Sequence, residues 1–272
     1  MDIPALFLND GRTIPQLGLG TWPLRGEDAA VAVSTAIELG YRHVDTAAKY
    51  ENEDGVGEGI RRSGIDRGEL FITTKLDGGY QGDDRAIAGL RASLDRLGLD
   101  YVDLLLIHWP MPARGEFVST WHTFEALQAE GLARSIGVSN FKPAHLDVLL
   151  ADSAVVPAVN QVQLSPAIPR LATREYDEAN GIVTEAWTPI KGVLNSPVLA
   201  AIGEKHVKTA AQVALRWHIQ NGVVAIPKTS DPERMAQNAD IFDFSLDEDD
   251  LAVIATLDEG PDAGVDSDVD GH

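Results

Sequence analysis

Asn52-Glu53-Asp54-Gly55-Val56-Gly57-Glu58-Gly59-Ile60 decides which α/β fold this chain adopts. A doubly wound parallel sheet is marked by Gly-x-Gly-x-x-Gly directly after its first strand. Here Ile60 holds the third glycine position, and the run follows Asn52-Glu53-Asp54, a helix start rather than a strand. The glycines are read instead as leaving room for close helix packing.

Outward from that run, short apolar strands alternate with amphipathic helical stretches. A hairpin comes first, Leu6-Phe7-Leu8 and Thr13-Ile14 about the turn Asn9-Asp10-Gly11. Strands then follow at 17–19, 43–45, 70–74, 102–107, 135–138, 158–160, 182–186 and 223–226, with helices between them such as 28–39, 83–97 and 209–220. Eight such units in a chain near the ~250 residues typical of the fold predict a (β/α)8 barrel, one domain over residues 1–272. Ser245-Leu246-Asp247-Glu248 reads as a capping box opening an extra helix, 249–257, on the barrel exterior. The stretch 258–272 carries six acidic residues, no Lys or Arg and no aromatic, and is expected to be a mobile, solvated extension.

The chain has no cysteine, which excludes disulfides and thiol catalysis and fits a cytoplasmic protein. No apolar run approaches the ~18 residues of a membrane span, and Met1-Asp2-Ile3-Pro4 lacks a signal segment. With 22 Lys+Arg against 42 Asp+Glu, a formal net charge of -20, nucleic acid is not the expected partner. No long apolar stripe calls for an obligate dimer, so a monomer is expected.

Against this acidic background, Lys228, Thr229, Ser230 and Arg234 place two cations and two hydroxyls where the strand ending at Ile226 turns into a helix. Helix N-terminal amides and Lys/Arg donors converging at such a turn suit a phosphate.

Four polar residues fall at the carboxyl ends of the expected strands, where barrels place their reactive groups: Asp45, Lys75, His108 and, just beyond Asp45, Tyr50. Singly, each has an ordinary explanation: a helix cap, a surface lysine, a core imidazole, a packing ring. Together at one rim they make an acid-catalysis site. A phenol is a sluggish acid at neutral pH. An ammonium about 4 Å away, at an effective dielectric of about 20, favours the phenolate by about 4 kcal/mol, enough to lower its pKa by roughly three. Asp45 would hold Lys75 charged, and His108 would reach the substrate oxygen from the other side. No Gly-x-Ser-x-Gly and no His-Glu-x-x-His is present, so serine hydrolase and zinc protease readings find no support and no metal is expected.

Gly40-Tyr41-Arg42-His43-Val44-Asp45-Thr46-Ala47 with Tyr50, Glu53 and Val56-Gly57 resembles the first signature of the aldo-keto reductases. Arg134-Ser135-Ile136-Gly137-Val138-Ser139-Asn140-Phe141 resembles the second, and Ile226-Pro227-Lys228-Thr229 through Arg234 to Gln237-Asn238 the third. The short chain, Trp22 and Ala186-Trp187-Thr188-Pro189 are most similar to the bacterial diketo-gluconate reductase branch. The resemblance implies a barrel that binds NADPH and reduces an aldehyde or ketone, with Tyr50 as proton donor supported by Asp45, Lys75 and His108. By the same resemblance Ser139, Asn140 and Gln161 would bind the nicotinamide carboxamide, and Trp187 would stack under its ring. Gly20, Thr21, Trp22, Thr188, Ile190 and Ile226 would border the cofactor. Lys228, Thr229, Ser230 and Arg234 would take the 2′-phosphate, and Gln237 and Asn238 the adenine. Gln163-Leu164-Ser165-Pro166 departs from the Glu-Leu-His-Pro common in the family and would alter a hydrogen bond near Gln161.

Trp22, Tyr50, His108 and Trp109 are expected to wall the substrate pocket. With a short loop at 110–116 and no aromatic in the tail, an open pocket for a small aldehyde, α-dicarbonyl or keto-sugar is expected. Two alternatives stand beside this reading: a barrel aldolase with Lys75 as Schiff-base nucleophile, and an NADPH-binding redox sensor without turnover.

Overall fold

The structure is a computed structural model that describes residues 3–271. Met1, Asp2 and His272, the ends of the expected domain and tail, lie outside the described residues. The chain opens with strands β1 (Ala5–Phe7) and β2 (Thr13–Pro15), an antiparallel hairpin with Leu6 opposite Ile14. The barrel follows as β3 (Leu19–Gly20), α1 (Gly26–Glu38), β4 (His43–Asp45), α2 (Glu53–Ser63), β5 (Phe71–Leu76), α3 (Asp83–Leu97), β6 (Val102–Ile107) and α4 (Phe117–Ala129). It continues through β7 (Ala133–Ser139), α5 (Pro143–Asp152), β8 (Val159–Gln163), α6 (Leu171–Ala179), β9 (Val183–Trp187), α7 (Pro197–His206), α8 (Ala210–Gln220) and β10 (Val224–Ile226). Helices α9 (Pro232–Ala239) and α10 (Glu248–Ile254) complete it.

Strands β3 to β10 pair in parallel in chain order. The ring closes where Leu17 bridges Ala225 and the Gly18 and Gly20 amides donate to the carbonyls of Ala225 and Pro227, at 2.9 and 3.1 Å. A Cβ on Gly20 would stand 2.8 Å from the Ile226 carbonyl oxygen, so the seam is tight enough to require glycine there. This is the (β/α)8 barrel with an N-terminal hairpin that the strand pattern predicts.

The deciding glycines pack helices, as read. A Cβ on Gly59 would stand 2.6 Å from the Ala30 carbonyl oxygen of α1, and one on Gly57 would collide with the Leu97 backbone at the end of α3. Glu53, buried at the start of α2, ties the helix inward: it accepts from Thr74 Oγ1 at 2.5 Å and from Arg96 Nη2 at 2.6 Å. Strands β4, β5 and β6 are buried along their whole length, as parallel strands covered on both faces must be.

Two local readings are corrected. The box opening α10 is built by Asp247 and Asp250, not by Ser245 and Glu248: Asp247 Oδ1 accepts from the Asp250 amide at 2.9 Å, so the box lies further along the chain than expected. The acidic tail, expected as a solvated extension, runs back onto the barrel. The Val265 amide donates to Gln163 Oε1 at 2.7 Å and Arg170 Nη2 donates to the Val265 carbonyl at 2.9 Å. Lys142 pairs with Asp266 and Asp268, and His145 Nε2 lies 2.8 Å from Asp268. Basic side chains of the barrel thus supply the partners that the tail's own composition lacks. Among the described residues no helix is long and apolar enough to cross a membrane.

Candidate active site

Asp45 ends β4, Lys75 is next to last in β5, and His108 follows β6 directly, so three neighbouring strands deliver their side chains to one rim. A short 3₁₀ turn, Ala48–Tyr50, carries Tyr50 back over them. Asn52 fixes that turn: Thr46 Oγ1 donates to its Oδ1 at 2.7 Å, and its Nδ2 donates to the Leu24 carbonyl at 2.9 Å.

Lys75 Nζ lies 2.5 Å from Asp45 Oδ1, 3.0 Å from the Thr46 carbonyl and 3.3 Å from Tyr50 Oη. The Tyr50 ring stands edge-on to His108, with centroids 5.6 Å apart, and beside Trp22 at 5.3 Å. His108 stacks on Trp109 at 6.3 Å, and Gln81 Nε2 holds the Trp109 carbonyl at 2.7 Å. The four sequence-predicted residues therefore meet at one place.

Their electrostatics differ from the simple expectation. Burial acts to lower the Lys75 pKa, but Asp45, Tyr50 and Glu185 outweigh it and hold Lys75 above the usual lysine value, an ammonium at neutral pH. Burial raises the Asp45 carboxyl, opposed by Lys75 and by the hydrogen bond from Gln161. Burial likewise raises Tyr50 above the ordinary phenol value; Lys75 pulls it down, while Asp45 and Glu185 push it up. The net direction is upward, the reverse of the acidified phenol that the sequence suggests. Desolvation is the largest cause, and the Asp45 and Glu185 carboxyls oppose the lowering that Lys75 exerts.

A cavity of about 590 Å³ opens over this group. Trp22, Tyr50, His108 and Trp109 form one group in its wall, Asp45, Ser139, Asn140, Gln161 and Trp187 a hydrogen-bonded second, and Gly20, Thr21, Thr188, Ile226 and Lys228 also line it. Thr229, Ser230, Arg234, Gln237, Asn238 and Ile190 do not line it; all but Ile190 lie beyond Lys228 along the chain. No tail residue lines it either, although Gly271 packs against Trp109 closely enough that a Cβ there would be 3.2 Å from the indole.

The amides of the second group are tightly engaged. Asn140, in the left-handed conformation at φ 63°, donates through Nδ2 to the His108 carbonyl at 3.0 Å and to Ser139 Oγ at 3.1 Å. Its Oδ1 accepts from Trp187 Nε1 at 2.9 Å, which sets the indole plane. Ser139 Oγ donates to the Gln161 carbonyl at 2.8 Å. Gln161 Nε2 reaches both Asp45 Oδ2 and Glu185 Oε2, each at 2.8 Å. The hydroxyl of Thr188 is buried without a protein partner. Gln163, expected to act near Gln161, bonds the tail instead.

The phosphate segment needs a second correction. Asp231 Oδ1 caps α9, accepting from the Glu233 amide at 2.9 Å and the Arg234 amide at 3.3 Å. Thr229 Oγ1 accepts from the Asp231 amide at 3.1 Å. Those helix amides are taken, so the side chains of Lys228, Ser230 and Arg234, all exposed, are what this end offers an anion.

Sequence reasoning missed Glu185, wholly buried in β9 and raised by burial to about 8. It also missed Arg25, Lys49 and Glu51 at the mouth. Glu185 was findable: strand side chains alternate, so it shares a face with Trp187. Among the described residues no group of three or more His, Asp or Glu is placed to hold a metal ion.

Fold and cavity define a (β/α)8-barrel enzyme with its reactive groups at the carboxyl ends of the strands. Residues 16–259 match the model of the Aldo/keto reductase family. Methylglyoxal reductase DkgA of Escherichia coli is 44% identical over 270 residues, 97% of this chain and 97% of that protein. 2,5-Diketo-D-gluconic acid reductase B of Corynebacterium sp. is 44% identical over 262 residues, 95% of each chain. The crystal structure of a Gox0644 mutant in complex with NADPH superposes with a TM-score of 0.95 at 41% identity, covering 100% of both chains. The chain belongs to the aldo-keto reductase family.

Proposed function

We propose that this chain reduces small aldehydes, α-dicarbonyls or keto-sugars to alcohols with NADPH, and that Tyr50 is the proton donor. One observation carries the reading: Tyr50 Oη sits 3.3 Å from Lys75 Nζ at the wall of a cavity that continues to Lys228. Two relatives named for dicarbonyl substrates, and a structural neighbour crystallised with NADPH, support it.

The residues present fit that cofactor. The cavity offers the flat Trp187 indole, amide groups, the unpartnered Thr188 hydroxyl on the pyrophosphate path and a cation at its far end. When bound, NADPH supplies the hydride to the carbonyl carbon. Tyr50 Oη gives its proton to the carbonyl oxygen, and a phenol held above its ordinary pKa is reliably protonated beforehand. Lys75 then faces the phenolate at hydrogen-bond distance, and Asp45 keeps Lys75 in place. His108, edge-on to Tyr50, directs the carbonyl oxygen from the opposite side. Lys228, Ser230 and Arg234 hold the 2′-phosphate through side chains, with Thr229 bracing the turn and Gln237 and Asn238 toward the adenine. Arg234 suits a phosphate monoester because its donors form a planar fork.

Lys75 as a Schiff-base nucleophile is disfavoured, because an ammonium paired at 2.5 Å lacks a free lone pair. NADPH consumption with methylglyoxal tests the reading directly, and no turnover with any small carbonyl would leave only the sensor role. A panel in which a single bulky ketone reacts would overturn the broad specificity. We propose a monomer, to be checked by light scattering, and the cytoplasm as its compartment on the cysteine-free composition.

A further inference from the structure

Gln161 and Glu185 are register partners on the adjacent strands β8 and β9, and both point into the barrel interior. Asp45 comes from β4, across the barrel. The single nitrogen Gln161 Nε2 lies 2.8 Å from a carboxyl oxygen on each of them. An amide nitrogen has two hydrogens to give, and an amide oxygen has none. One carboxyl on each side therefore uses both donors and leaves the oxygen as the amide atom available to the cavity that Gln161 lines.

We infer that Glu185 is a positioning residue, which locks the Gln161 amide so that its oxygen receives the N–H of the cofactor carboxamide. The inference rests on the NADPH reading above. With Asp45 alone, the second amide hydrogen has no assigned acceptor and the side chain is free to turn its nitrogen to the ligand. Glu185 is costly for the fold: it is wholly buried, and its Oε1 has no hydrogen-bond partner. That oxygen lies 3.6 Å from His43 Nε2, and burial holds the His43 imidazole near 3, hence neutral. A buried carboxyl with half its acceptor capacity unused does not stabilise a barrel core; an apolar residue would do so better. Its carboxyl, raised to about 8 by burial, is largely uncharged at neutral pH, so it accepts from Gln161 without adding a second negative charge beside Lys75.

The test titrates the full chain with NADP+ and with its 3-acetylpyridine analogue, whose methyl ketone cannot donate, following quenching of tryptophan fluorescence. Losing a hydrogen bond to a buried acceptor is expected to make the parent prefer NADP+ by about tenfold. Glu185→Leu is expected to bring the two ligands within about twofold, because the freed amide turns to suit either. Glu185→Gln, which keeps a carbonyl toward Gln161, is expected to restore the preference. If Glu185→Leu does not fold by circular dichroism, Glu185→Thr, too short to reach Gln161, carries the same expectation. A parent-like preference in the Leu or Thr variant overturns the inference, as does a parent that binds both ligands equally. A parent that binds neither overturns the cofactor reading as well.

Discussion

The two ends of the cavity are built in opposite ways. At the Tyr50 end the charged groups are buried and tied to protein: Lys75 to Asp45, Thr46 and Tyr50, and Asp45 onward to Gln161. At the Lys228 end the cations are exposed, and the side chain of Arg234 is 74% accessible with only a loose 3.7 Å contact to Asp231. Under the proposed function, the difference follows from what each end would do. A group that moves a proton works best when its neighbours are fixed before the substrate arrives, since no reorganisation is then needed. A group that captures a dianion from water works best when its charge is not already spoken for.

The contrast can be broken most severely at the buried end. Tyr50→Phe should lower kcat/KM for methylglyoxal by about 10²–10⁴-fold, the usual contribution of a positioned acid. A loss within about twofold would remove Tyr50 from the proton-donor role. Lys75→Met should cost about 3 kcal/mol or more of unfolding free energy in urea, because Asp45 is left as a buried, uncompensated carboxylate. A stability within about 1 kcal/mol of the parent would mean that the pair is not desolvated as described. At the open end the effects should be smaller and fall on binding. Arg234→Ala should raise the KM for NADPH about tenfold and leave that for NADH within about twofold; equal effects would refute the 2′-phosphate assignment. Raising salt from low to ~0.5 M should weaken NADPH binding severalfold through screening of the exposed cations, while kcat at saturation stays nearly constant.

The same contrast sets what was legible in the sequence. Strands and the polar residues at their ends were readable because short strand-forming runs ended in a polar residue, as in His43-Val44-Asp45 and Val102 to His108. The meeting of Tyr50, Lys75, Asp45 and His108 followed from the barrel alone, since the fold brings every strand end to one rim. Three things were not readable. The Tyr50 pKa direction depends on how fully Asp45 neutralises Lys75 and on burial, both of which are distances rather than residue types. The amides at the start of α9 were read as open to a phosphate, but Asp231 offers its carboxylate to those same amides and is already covalently in place. The tail was misread for a related reason. Its composition reports only its own charges, while Lys142, His145 and Arg170 lie about a hundred residues away in sequence.

The closure of the ring has a consequence for how the chain is made. The seam joins Leu17, Gly18 and Gly20 to Ala225 and Pro227, so the earliest strand of the ring waits for the latest to leave the ribosome. Until then the edge at residues 17–20 is unpaired, and long-range pairing of this kind is slow and exposed to wrong partners. Gly20 and Lys228 stand on the two sides of that seam and border one cavity. A ligand spanning them would fasten the two sides of that seam together, and its binding would then stabilise the closed ring over the open one.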